Sequence, residues 1–206
     1  MVGVSNFKKF YSGYPVLDIP ELKLETDIYW LKGKNGSGKT TLIKSIAGLI
    51  PFEGEIYVDD FSINSNRIAY RTNVNYAEAE PVYPDFLTGN DFVKLYTESK
   101  KAKPEQVENI ISRLEIKSYL KNKAGTYSSG MTKKLSLALS LLGNPKLILL
   151  DEPFITLDQK AVANLSALIT EYHTMGICFI IASHQDFDAS IPLSPKILLL
   201  ENNTIA

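Results

Sequence analysis

Two patterns of apolar residues alternate along this chain, and they predict different elements. In the first, every position is apolar over a short run: Ile28, Tyr29, Trp30 and Leu31; Leu147, Ile148, Leu149 and Leu150; residues 177–182; and most of 196–200. Runs of this length read as strands buried on both faces, the condition of a parallel sheet covered by helices. In the second, apolar residues return every three or four positions, as on one face of a helix. Leu42, Ile43 and Ile46 do so up to Gly48, a natural C-terminal cap. So do Phe92, Leu95 and Tyr96, then Val107, Ile110, Ile111 and Leu114 after Pro104, then Met131, Leu135, Ala138 and Leu142, and finally Val162, Leu165, Leu168, Ile169 and Tyr172. Residues 2–10, 22–24 and 55–58 predict short strands of an antiparallel portion, and 62–66 a loop. The sum is an α/β chain in which 81–143 is mainly helical, with no internal repeat or long linker.

The chemistry begins where the first buried strand gives way to the first helix. Residues 33–40 read Gly33, Lys34, Asn35, Gly36, Ser37, Gly38, Lys39 and Thr40, the G-x-x-x-x-G-K-[ST] phosphate loop, followed by Thr41. Its glycines let successive N–H groups turn toward phosphate oxygens, and the helix start adds unpaired donors and a positive dipole end. Lys39 neutralises β- and γ-phosphate charge, and the Thr40 hydroxyl suits Mg²⁺. The strand at 147–150 ends in Asp151, Glu152 and Pro153, so two carboxylates emerge where an open parallel sheet places its ligand crevice. Asp151 suits Mg²⁺, and Glu152 suits polarising an attacking water.

Between these motifs stand Tyr127, Ser128, Ser129, Gly130 and Met131; after them come Thr156, Leu157 and Asp158, and then His184 behind an apolar strand. In this order the sequence resembles the ATP-binding cassette family, the nucleotide-binding subunits of ABC transporters, across nearly the whole chain. The resemblance implies a P-loop NTPase of ABC type over 1–206: a RecA-like, mostly parallel sheet core, an antiparallel β-subdomain, and an inserted α-helical subdomain at about 81–143. It also implies that residues 33–41 of one subunit and the signature Ser128, Ser129 and Gly130 of another grip ATP together. Asp158 is then the D-loop residue, and His184 the switch histidine that contacts γ-phosphate. Ser128 or Ser129 also reads locally as a helix N-cap. Tyr11 best fits the aromatic that stacks on adenine, with Tyr14 the alternative.

Two departures from the family pattern stand out. Ser129 replaces a usual glycine and Met131 a usual glutamine in the signature, and Ala79 falls where the Q-loop glutamine is expected. A methyl cannot ligate Mg²⁺; Glu78 or Glu80 offers a hard oxygen instead, at the cost of repelling γ-phosphate.

Composition narrows the partners. Lys plus Arg total 22 against 23 Asp plus Glu, so no charge imbalance points to nucleic acid. Cys178 is the only cysteine and lies in an apolar strand, which reads as a buried hydrophobe in a reducing, cytoplasmic setting. No stretch reaches the roughly 18 apolar residues of a membrane helix, and no signal-peptide pattern opens the chain. The resemblance therefore implies an ATPase lying peripherally on the cytoplasmic face of a membrane, powering separate membrane-spanning subunits and paired with a second nucleotide-binding subunit, identical or related. A soluble ABC-type ATPase, or a poorly hydrolysing regulatory module, is the alternative. A GTPase is disfavoured by the lack of an Asn-Lys-x-Asp signature.

Overall fold

The computed structural model describes every residue except Gln185, Asp186, Ala189 and Ala206. In chain order the strands are β1 (Val2–Tyr11), β2 (Tyr14–Leu24), β3 (Ile28–Lys32), β4 (Glu53–Val58), β5 (Phe61–Ser62), β6 (Val74–Ala77), β7 (Leu147–Asp151), β8 (Cys178–Ser183), β9 (Lys196–Glu201) and β10 (Thr204–Ile205). The helices are α1 (Lys39–Ile46), α2 (Arg67–Asn73), α3 (Gly89–Lys100), α4 (Pro104–Arg113), α5 (Ser129–Ser140) and α6 (Gln159–Thr174).

The strands form two sheets. One has the order β2-β1-β4-β5 and is antiparallel; the other runs β10-β9-β3-β8-β7-β6, parallel except at β10. Period-two alternation explains the unbroken apolar runs, because each face of the central strands meets a different core. Ile28, Trp30, Ile148, Leu150, Phe179 and Ile181 pack with α4, α5 and α6. Their neighbours Tyr29, Leu31, Leu147, Leu149, Cys178 and Ile180 pack with α1 and the antiparallel sheet. Burial pushes the Cys178 thiol up from its ordinary value, so it is an inert part of that second core.

The expected elements recur with some differences. β2 fills 14–24 rather than 22–24: Pro15 and Pro20 interrupt its pattern, but β2 is a sheet edge, where a missing N–H does not break a ladder. α2 and β6 occupy 67–77, where no element is predicted. β6 is a four-residue edge strand, and its buried Asn75 donates to the carbonyls of Ser140 and Leu142 at the end of α5. Leu95 lies on the expected helix α3 but faces outward, 58% exposed, while Phe92 is buried. α1 ends as predicted, with Gly48 N–H on the Ser45 carbonyl and Leu49 N–H on that of Lys44, the paired bonds of a Schellman cap.

The topology positions the site. β3, β8 and β7 are adjacent and parallel, with Lys32 beside Ser183 and Asp151 beside Ala182. The phosphate loop, the Asp151–Glu152 pair and His184 therefore leave the sheet at the same level.

Candidate nucleotide site

The phosphate loop is set by Gly36 (φ +78°) and Gly38 (φ +104°), conformations that side chains rarely adopt. Gly38 opens α1 without a side-chain cap, and no acidic residue sits in the first turn. The helix thus keeps its N-terminal donors and positive end for an anion. Lys39, 7% exposed, donates to the carbonyls of Gly33 (2.7 Å) and Lys34 (3.1 Å). Burial holds its ammonium below the ordinary lysine value, against the pull of Glu152 and Asp151.

Asp151, at the end of β7, is 1% exposed and lies close to the Thr40 side chain. Burial pushes its carboxyl up, more than Thr40 draws it down. Its Oδ2 is buried with no hydrogen-bond partner. A hydroxyl beside a carboxylate with an orphaned oxygen is a hard-oxygen set that fits a divalent cation such as Mg²⁺.

Glu152 follows at φ +48°, its N–H on the Ala182 carbonyl (2.9 Å). Its carboxylate accepts from Ser183 Oγ (3.0 Å) and His184 N–H (2.7 Å), and His184 Nδ1 lies 2.8 Å away. The β8 terminus therefore aims Glu152. A cavity of ≈ 450 Å³ joins it to Asn35, Gly36, Gly38, Lys39, Thr40 and Thr41 beneath Tyr11 and Val16. Tyr11 is half exposed, and the Lys9 ammonium lies 4.7 Å from its ring centre. Tyr14, 76% exposed, does not line this cavity, so the placement favours Tyr11.

The remaining predicted residues lie outside that cavity. Ser128 caps α5, accepting from Met131 N–H (3.2 Å), and Ser129 and Gly130 form the first turn. A Cβ at Gly130 would meet only the Thr156 carbonyl, at an ordinary 3.4 Å, so this chain's own packing does not demand glycine there. Asp158 caps α6 through Ala161 N–H (2.8 Å) and pairs with Lys134 of α5 (3.0 Å); the Ala161 hydrogen bond first, then Lys134, holds its carboxyl below the usual range. Neither candidate substitute for the Q-loop glutamine reaches the cavity. Glu78 is paired with Lys44 of α1 at 2.5 Å, and Glu80 is exposed.

Sequence reasoning overlooked Val16, Ser183, Lys44 and Lys133. Lys133 is the least expected, 2% exposed on a helix whose Ser136 and Ser140 are also buried. A polar stripe at i, i+3 and i+7 was the available signal. Burial lowers the Lys133 ammonium to about 8, opposed chiefly by Asp151 and Glu152.

A phosphate loop, a strand-end carboxylate pair and a histidine after the neighbouring strand define a P-loop nucleotide-binding domain of the ABC class. The ABC transporter family model matches residues 21–155, and the chain belongs to that family. An ABC transporter ATP-binding protein of Pyrococcus furiosus is 31% identical over 95% of this chain and 78% of its own length. ATP-binding cassette sub-family A member 2 of Homo sapiens is 31% identical over 89% of this chain, which spans 8% of that protein. The solved ATP-binding subunit of an ABC transporter superposes with a TM-score of 0.90 at 23% identity, covering 100% of this chain and 88% of that one, which establishes the shared fold. This chain is accordingly an ATP-binding domain with ATPase activity.

Proposed function

We propose that this ATPase powers transport through separate membrane-spanning subunits, working on the cytoplasmic face as a pair with a second nucleotide-binding subunit. The single observation that carries this reading is the division of the site. Lys39, Thr40 and Glu152 share one cavity under Tyr11, whereas Ser128, Ser129 and Gly130 do not line it. A second subunit placed head to tail about a two-fold axis completes both halves. No helix among the described residues is long and apolar enough to cross a membrane.

In this reading ATP enters with its adenine against Tyr11 and its phosphates over the N-terminus of α1. Lys39 exchanges the carbonyls of Gly33 and Lys34 for β- and γ-phosphate oxygens. Thr40 and Asp151 would hold Mg²⁺, whose chemistry there would be to neutralise phosphate charge. Glu152, fixed by Ser183 and His184, orients and deprotonates the attacking water, and His184 and the partner's signature face the γ-phosphate. The test is Lys39→Ala: roughly 100-fold weaker ATP binding is expected by equilibrium titration, from loss of a buried charge-assisted contact. Unchanged affinity would remove the phosphate loop from the mechanism.

A further inference from the structure

Lys133 is the most deeply buried lysine among the described residues, and the nucleotide chemistry assigns it no phosphate. An ammonium has three N–H donors, and all three are spent on main-chain carbonyls: Glu78 at 2.9 Å, Ala79 at 3.1 Å and Asp151 at 2.8 Å. Burying a charge is costly unless such partners are complete, so the three bonds stand or fall together.

The partners belong to separate parts of the machine. The Asp151 carbonyl is half of the peptide unit that leads into Glu152, and the other half, Glu152 N–H, is held by the Ala182 carbonyl. That peptide is therefore gripped from both sides. The carbonyls of Glu78 and Ala79 lie in the loop leaving β6, where Glu78 also pairs with Lys44 of the phosphate-loop helix. Lys133 itself stands in the second turn of α5, one turn from Ser129 and Gly130.

We propose that Lys133 is a positioning residue that makes the start of α5, the loop at 78–79 and the Asp151–Glu152 peptide move as one body. A displacement at the loop or at the signature end is then transmitted to Glu152 through main-chain hydrogen bonds. At position 79, where the side chain is only a methyl, the carbonyl carries the link instead. The inference rests on the ATPase reading for its consequence, although the mechanical link is measurable without turnover.

The experiment is hydrogen exchange on the full chain, with and without a non-hydrolysable ATP analogue and Mg²⁺, alongside steady-state kinetics. In the wild type, the analogue slows exchange at both 129–134 and 77–80. In Lys133→Met, exchange at 77–80 rises about tenfold and no longer responds to the analogue. Its kcat falls roughly 10- to 100-fold, the cost of a misplaced reacting group, while analogue affinity stays within about threefold. Wild-type exchange at 77–80 that ignores the analogue overturns the proposal, and this arm stands even if the variant fails to fold. A folded Lys133→Met with wild-type kcat and wild-type exchange at 77–80 overturns it as well. A wild type that binds the analogue yet never hydrolyses ATP would sink the functional reading alone, because the exchange arms still decide the link.

Discussion

Replacing Glu152 by Gln separates binding from chemistry, and the structure sets how large each effect should be. The carboxylate accepts from Ser183 Oγ at 3.0 Å and His184 N–H at 2.7 Å, with His184 Nδ1 at 2.8 Å. A glutamine oxygen keeps the His184 side, and its amide turns to Ser183, whose hydroxyl accepts as readily as it donates. Only charge assistance is lost, so stability should fall by about 1 kcal/mol, a shift of roughly 2–4 °C in Tm for a chain of this size. The chemical step loses far more. A positioned base contributes roughly 100- to 10,000-fold, or about 3–5 kcal/mol of barrier. ATP affinity should hold or tighten, because a like charge leaves the cavity that receives the phosphates. With turnover stopped and ATP bound, the variant should also accumulate the two-subunit form. Phosphate release, nucleotide titration and light scattering with and without ATP read the three quantities, with the natural partner added as a control for heterodimers. Loss of ATP binding in proportion to turnover would refute the assigned role, and so would a kcat within tenfold of wild type.

Tyr11→Ala should weaken ATP binding by about 1–3 kcal/mol, the worth of one stacking contact, while Tyr14→Ala leaves it unchanged; nucleotide titration distinguishes them. Asp151→Asn should abolish Mg²⁺-dependent turnover yet raise the Tm of the nucleotide-free protein near neutral pH. The sign follows from burial, which raises the Asp151 carboxyl above its unfolded value, so ionising it opposes folding as pH rises through the folded pKa. The Tm advantage of the variant should therefore shrink as pH falls below the ordinary carboxylate range, which thermal melts across pH will check.

The motifs that were legible are those whose chemistry is local. A phosphate loop must be contiguous, because successive N–H groups wrap one anion, and residues 33–40 announce it in order. The buried strands were equally plain, since a strand covered on both faces has no polar position to spare. β2 was obscured for the opposite reason: an edge strand tolerates Pro15 and Pro20, so its pattern breaks while its structure does not. Leu95 shows the limit of periodicity from another side, as three apolar residues on a helix do not reveal which of them meets a neighbour.

The pairing of Lys133 was illegible because its partners are main-chain atoms 55, 54 and 18 residues away. Carbonyls carry no residue identity, so no pairing pattern in the sequence reports such a bond. The same reasoning explains why Ser128 and Asp158 read so readily as family residues and yet hold ordinary structural posts as caps of α5 and α6. A cap fixes its side chain at a helix N-terminus, where the last unpaired N–H groups already favour an anion. Capping therefore fixes the place of the signature serine, but it does not account for Gly130, whose missing side chain relieves no clash among the described residues. On the proposed pairing, the reason for that glycine is the face that a second subunit covers.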